Sequence, residues 1–349
     1  MLLQHVMGTP LLTWLTHGLK QRGIRRFFLV CQDRFLNEAR LCFPEGCVLT
    51  VCMDREALDP LHVFLSSAKS WDARVLVITG SCICLPPEDS FSAAPKAACA
   101  CYISQSELML ALDEEDFSFC QFLLSRGSAC TDREGFYTID TPAQLPFWAQ
   151  RIRRAQLQEL SCQGVEIWDY GQCYVDPGVQ IGTGTVLMPG TVLRGHTVVG
   201  SDCVIGPNTL LEGAKIGNGC RVNASQIYDS TLGNDCAIGP FVCIRPGSSL
   251  GSRVRVGTAA ELNRVRLGEG THAGALCSLR EFDSGRDCAI GTGCVSTAGR
   301  VVLEDQAVIG GGVTFAGSLA VGRSVKVDPG SALKDALPAS RKDRFLQRR

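Results

Sequence analysis

The sequence predicts an α/β domain followed by a β-solenoid, on three observations. From about Val175 to Val327 a short aliphatic residue followed by glycine returns at a beat of roughly six residues, as in Ile205-Gly206, Ile216-Gly217, Ile238-Gly239 and Ile290-Gly291. Ahead of that stretch, apolar residues at helical spacing alternate with short aliphatic runs of strand type. The chain has 349 residues, enough for two domains of ordinary size, each with its own core.

The six-residue beat argues for a solenoid because each unit supplies one short strand with its aliphatic side chain turned inward. Glycine then follows where the chain must bend without a Cβ in the way. Three such strands make a triangular coil of about 18 residues, and stacked coils bury a column of Ile, Val and Leu that no single coil buries alone. A sandwich would instead show period-two alternation, with turns every 8–12 residues or so.

The first half reads as alternating helix and strand. Leu11, Leu12, Leu15 and Leu19 share one face of a helix over 11–20 that stops at Gly23, and Phe27 to Val30 is then a short buried strand. Further strands are expected at 48–52, 74–79 and 97–103, with helices at 33–42, 60–70, 105–112 and 142–160. That order predicts a mostly parallel α/β sheet with ligands at the strand ends. The domains are then 1–165, ending in a linker helix that carries Arg151, Arg153 and Arg154, 166–333 for the solenoid, and a basic tail over 334–349.

Composition narrows the partners. A formal net charge of −1 argues against a basic nucleic-acid binder. No apolar run reaches membrane-spanning length, and Met1 to Gly18 lacks the features of a signal peptide. The 19 cysteines are scattered without a Cys-x-x-Cys pair, which predicts small core fillers in a reducing cytoplasm rather than metal ligands.

Taken together, the two halves resemble a known family. The segments Ile238-Gly-Pro-Phe-Val-Cys-Ile-Arg-Pro-Gly247, Arg266-Leu-Gly-Glu-Gly-Thr-His-Ala-Gly274 and Met7-Gly-Thr-Pro-Leu-Leu12 carry the resemblance. The family is the bifunctional N-acetylglucosamine-1-phosphate uridyltransferase/glucosamine-1-phosphate acetyltransferase, usually called GlmU. It implies a truncated, Rossmann-like nucleotidyltransferase domain, left-handed winding of the β-helix, and a homotrimer whose acetyltransferase sites form between neighbours. It also implies a place in UDP-N-acetylglucosamine biosynthesis.

Residue by residue, the resemblance exposes gaps. The family's glycine-rich phosphate loop falls before Met1 and its lysine on Met1, and its magnesium-binding aspartate falls on Ser81, a neutral hydroxyl unsuited to a hard cation, so no magnesium ion is expected. Asp140 is a weak candidate for a second metal position and equally suits the turn before Pro142. In the solenoid the histidine base falls on Ala275, which cannot accept a proton. His272, three residues earlier, is a weak substitute because an odd step along a strand turns its side chain to the other face.

The family's sugar-phosphate contacts fall on Arg245, on Asn263 with Arg264 beside it, and on Ser278, while an asparagine of the next coil falls on Ala289. An Asn-Tyr pair expected between Gly293 and Ile309 is missing. Arg341 resembles a basic residue that the family places by coenzyme A phosphates, and equally suits a solvated tail. Phe315 stands where the repeat expects a small aliphatic, as though at a corner leaning on a neighbour.

The expected function is therefore a binding or regulatory trimer for a sugar phosphate or nucleotide sugar, degenerate at both sites. An acyltransferase still using acetyl-coenzyme A is the alternative, and a nucleotidyltransferase with an unrecorded N-terminal segment is disfavoured by Ser81.

Overall fold

The computed structural model describes residues 2–53, 57–67, 73–78, 81–85, 100–113, 128–129, 135–139 and 141–338. The chain divides into two compact units, Met1–Ala155 and Gln156–Arg349.

The second unit is a parallel β-helix. Its strands run from Glu166–Ile167 to Ala332–Leu333, and a ten-stranded parallel sheet forms one face, here face A. A 17-stranded sheet supplies the other two faces. On face B, Cys243–Ile244 pairs with Glu261–Leu262, and on face C, Thr231–Leu232 pairs with Ser249–Leu250.

Inward residues stack in register from coil to coil. Leu187 lies against Ile205, Ile205 against Val222 and Val222 against Ile238, at steps of 18, 17 and 16 residues, so coil length slips while register holds. The stacked aliphatics form one continuous buried column from Leu157 to Val327. Phe315 belongs to that column, fully buried and edge-on to Phe282 at 5.4 Å, so it does not lean outward from a corner. An aromatic is tolerated there because the inward residue of the coil below is the small Ser296, which leaves room for the ring to reach Phe282 two coils away.

Glycine follows the inward aliphatic for two reasons, the expected bend at Gly206 and Gly239, with φ of 113° and 109°, and close stacking at others. The corners turn on left-handed residues elsewhere, among them Asp202, Asp235, Arg253 and Asp287, with φ of 53° to 58°. Gly217 lies where the next coil passes directly over it, so a Cβ there would come within 2.6 Å of the Gly233 carbonyl carbon. At Gly217 close stacking of backbones, not the turn, excludes a side chain.

Cysteines serve this interior as small polar-tipped fillers. The thiols of Cys203, Cys220 and Cys236 each donate to a carbonyl of the next coil, those of Gly217, Gly233 and Gly251, at 3.1 Å. Thr185 and Thr271 make the same bond from equivalent positions, to Gly200 and Gly285. The described cysteines are all free.

The first unit is built differently. Helix Leu11–Gln21 buries Leu11, Leu12, Trp14, Leu15 and Leu19 and is followed by Gly23 at φ +88°. Strands Arg26–Cys31 and Val48–Met53 pair in parallel, but Arg74–Ile78 runs antiparallel to Ala100–Ser104, and Cys82–Cys84 antiparallel to Phe136–Thr138. The expected mostly parallel sheet is thus broken into small sheets among the described residues. The Arg26–Cys31 and Arg74–Ile78 strands flank an open cavity of about 1720 Å³ instead of pairing with each other. Helix Gln105–Leu112 starts where Ser104 Oγ accepts from the Glu107 N–H, a side-chain cap. The helix expected over 142–160 is a 3₁₀ turn, Pro142–Gln144, leading into Leu145–Cys162.

Candidate substrate site on the β-helix

Face B gathers three of the sequence-predicted residues, Arg245, Asn263 and Ser278, because its strands read out-in-out. Cys243-Ile244-Arg245, Glu261-Leu262-Asn263 and Ser278-Leu279-Arg280 lie in consecutive coils, with the central aliphatic of each buried. Coils are spaced by about 4.8 Å, so Arg245, Asn263 and Arg280 form one outward column and Cys243, Glu261 and Ser278 the other.

Arg245 is not idle there. Its Nε lies 3.1 Å from Glu261 Oε1, with both side chains about half exposed, and that hydrogen bond raises the Arg245 pKa above its ordinary value. Burial, opposed by Arg245, pushes the neighbouring Cys243 thiol up. Asn263 is half-buried between Arg245 and Arg280, and Ser278 is exposed beside Glu261.

Arg264 is set apart. It is left-handed at φ 52° and occupies the corner after Asn263, where its Nη1 meets Glu281 Oε1 at 2.7 Å. The adjacency in sequence of Asn263 and Arg264 therefore does not put both on the face.

Ala275 occupies the corner between faces A and B, its carbonyl accepting from the Gly293 N–H at 2.8 Å. His272 is on the flat of face A, in register with Arg255 below and Ala289 above. Arg341 and Asp140 lie outside the described residues. Ser81 is half-buried in the first unit, its carbonyl accepting from the Ile139 N–H at 2.8 Å. Among the described residues, no group of three or more His, Cys, Asp or Glu side chains is placed to share a metal ion.

Sequence reasoning missed Glu261 and Arg280. Writing the face B strands one above another would have shown both, since each is an outward residue two positions from one already singled out. Chemically, the face offers two guanidinium groups, an amide and a hydroxyl to an oxyanion or a polyol. Glu261 is a built-in competitor for Arg245 and a carboxylate able to take a proton.

Residues 170–267 match the family model described as the GMPPB C-terminal domain. The bifunctional protein GlmU of a Geobacillus species is 35% identical over 197 residues, covering 54% of this chain and 43% of the relative. The bifunctional protein GlmU of Pelobacter propionicus is 30% identical over 218 residues, 60% of this chain and 47% of the relative. The chain thus spans about half the length of the curated relatives it matches. Among solved structures, the UDP-N-acetylglucosamine acyltransferase from Campylobacter jejuni overlaps with a TM-score of 0.34 at 17% identity, over 49% of this chain and 68% of the other. The acetyltransferase domain of PglB from Neisseria gonorrhoeae overlaps with a TM-score of 0.31 at 21% identity, over 36% and 63%. The β-helix rests on this chain's own strand pairing, not on these overlaps.

Proposed function

We infer that this chain, a divergent relative of the GlmU proteins, is a binding or regulatory protein of amino-sugar nucleotide metabolism that holds a sugar phosphate or nucleotide sugar on face B and catalyses neither GlmU reaction. One observation carries the reading: Arg245, Asn263 and Ser278 share a face while the neighbouring corner has Ala275 where a proton acceptor belongs. An alanine cannot deprotonate the amine of an amino sugar, and losing a general base costs roughly a hundred- to ten-thousandfold in rate. Arginine retained without the base fits binding better than turnover.

A homotrimer is part of this proposal. Phe241 and Leu276 stand on the corner between faces A and B at 70% and 63% exposure, and apolar side chains so exposed are better covered by a neighbouring copy. We place the protein in the cytoplasm, consistent with its free cysteines; among the described residues no helix is long and apolar enough to cross a membrane.

A second reading has its own observation. Glu261, beside Arg245 and in register with Ser278, is a carboxylate that can stand in for the absent histidine, with acetyl-coenzyme A as donor. Single-turnover incubation with acetyl-coenzyme A and glucosamine-1-phosphate, read by mass spectrometry, decides between the two. The binding reading expects no acetylated sugar, and a heat of glucosamine-1-phosphate binding that Arg245→Ala removes. Product that disappears in Glu261→Gln overturns it in favour of an acyltransferase. No product and no heat would retire both.

A further inference from the structure

Face A carries a second feature, away from Arg245. A groove of about 480 Å³ runs along it, lined by Arg221, Asn223, Ala237, Gly239, Arg255 and His272 among others, with no carboxylate in its lining. Arg221, Ala237, Arg255 and His272 are the outward residues of four consecutive coils and pair in register. With coils about 4.8 Å apart, the two arginine Cα atoms flank Ala237 at about 10 Å from each other. The alanine makes a notch between two long cationic side chains.

The floor is open for a physical reason. The position after each inward aliphatic on this face is glycine at 206, 239 and 257, and a Cβ at Gly239 would come within 2.2 Å of the Asn223 carbonyl oxygen. Backbone packing keeps side chains out of the strip beside the cations, leaving only the Asn223 amide.

The charge balance differs from that of five other arginines on this helix. Arg245, Arg253, Arg264, Arg300 and Arg323 are each tied to a carboxylate of an adjacent coil. Arg221 and Arg255 have instead valine, alanine or histidine as their coil neighbours, and the outward column of face A holds no Asp or Glu between Val186 and Lys326. Guanidinium groups stay charged at any working pH, and a cleft lined by one sign of charge concentrates the opposite ion. Phosphoryl oxygens match the planar guanidinium fork, and a group with two adjacent phosphoryl centres can engage an arginine at each end.

We propose that this groove binds the diphosphate group of a phosphorylated small molecule, at a site separate from the Arg245 face. Arg221 and Arg255 clamp the two phosphoryl groups over Ala237, the Asn223 amide donates to a non-bridging oxygen, and His272 closes the far end.

The test is isothermal titration of the full chain with inorganic pyrophosphate and, separately, with inorganic phosphate. Saturable binding of pyrophosphate, roughly tenfold or more tighter than phosphate, is expected. Arg221→Ala and Arg255→Ala should each weaken it by roughly tenfold or more, while Arg253→Ala, at a corner pair with Glu269, leaves it unchanged. Arg255→Lys, which keeps the charge and loses the fork, should fall between, and it serves if the alanine variant fails to fold. No saturable heat from the native chain overturns the proposal, as does binding that survives Arg255→Ala or tracks Arg245→Ala. A change in sedimentation in Arg221→Ala or Arg255→Ala with pyrophosphate affinity intact also overturns it, since the cations would then serve a contact between copies.

Discussion

The two units bury their apolar residues in different ways. In the β-helix the coils stack their inward side chains, mostly aliphatic, into a single column, so each residue of Ile205, Val222 and Ile238 is covered above and below by its equivalents. Among the described residues of the first unit three separate clusters form, and Leu29, Leu76 and Ile78 remain only partly buried beside the open cavity. A repeat makes its own lid, whereas a non-repeating unit depends on particular elements meeting, and here two strand edges do not.

Cavity-forming substitutions should expose that difference most. Ile227→Ala, at a fully buried column position, should cost about 2–5 kcal/mol, read as a lowered urea midpoint of the β-helix transition. Leu29→Ala, at the cavity's edge, should cost about 1–2 kcal/mol because less area is lost from burial. Equal losses would mean the cavity closes in solution.

Glycine substitutions sharpen the comparison at a smaller scale. Gly217→Ala forces a Cβ against the next coil and should cost about 1–3 kcal/mol in the same assay. Gly23→Ala, left-handed but with nothing within 4 Å of the added Cβ, should cost only the conformational strain, about 1 kcal/mol.

Buried thiols give a pH-dependent difference. Burial pushes the Cys84 thiol up to about 11 from an ordinary 9.0, so between those pH values the folded state holds a proton the unfolded state has released. The first unit's stability is therefore full below about pH 9 and should fall as pH rises toward 11, and Cys84→Ser should flatten that slope in urea midpoints measured at pH 8 and pH 10.5. The smallest effect expected is from Arg264→Ala at an exposed corner pair, about 0–1 kcal/mol by thermal melting, further reduced by salt.

Much of the β-helix was legible because its period is written in residues that must point inward or pass close to a neighbouring backbone. Ile205, Ile238 and Ile290 announce their faces, and the recurrence of glycine announces stacking, though not which of two steric demands it meets. Segments of the first unit were legible as elements, and helix Gln105–Leu112 has the expected bounds. Their pairing was not, since helical and strand periodicity carry no information about which edges meet. The same limit applied to the candidate site. Arg245 and Asn263 could be singled out by the family resemblance, but the Arg245–Glu261 pair depends on coil register that sequence spacing, slipping between 16 and 18 residues, does not disclose.

By itself, then, the sequence determined the repeat, the inward column, and that Ala275 and Ser81 offer neither a proton acceptor nor a carboxylate, because each depends on residue identity at a position. Only the tertiary structure decided that Arg245 faces Glu261, that Arg264 turns away at a corner, that Phe315 is inside, and that Arg221 and Arg255 share a groove without a counter-charge. Those facts depend on which residues of different coils come to lie side by side, and that is set by the register of stacked backbones rather than by any residue alone.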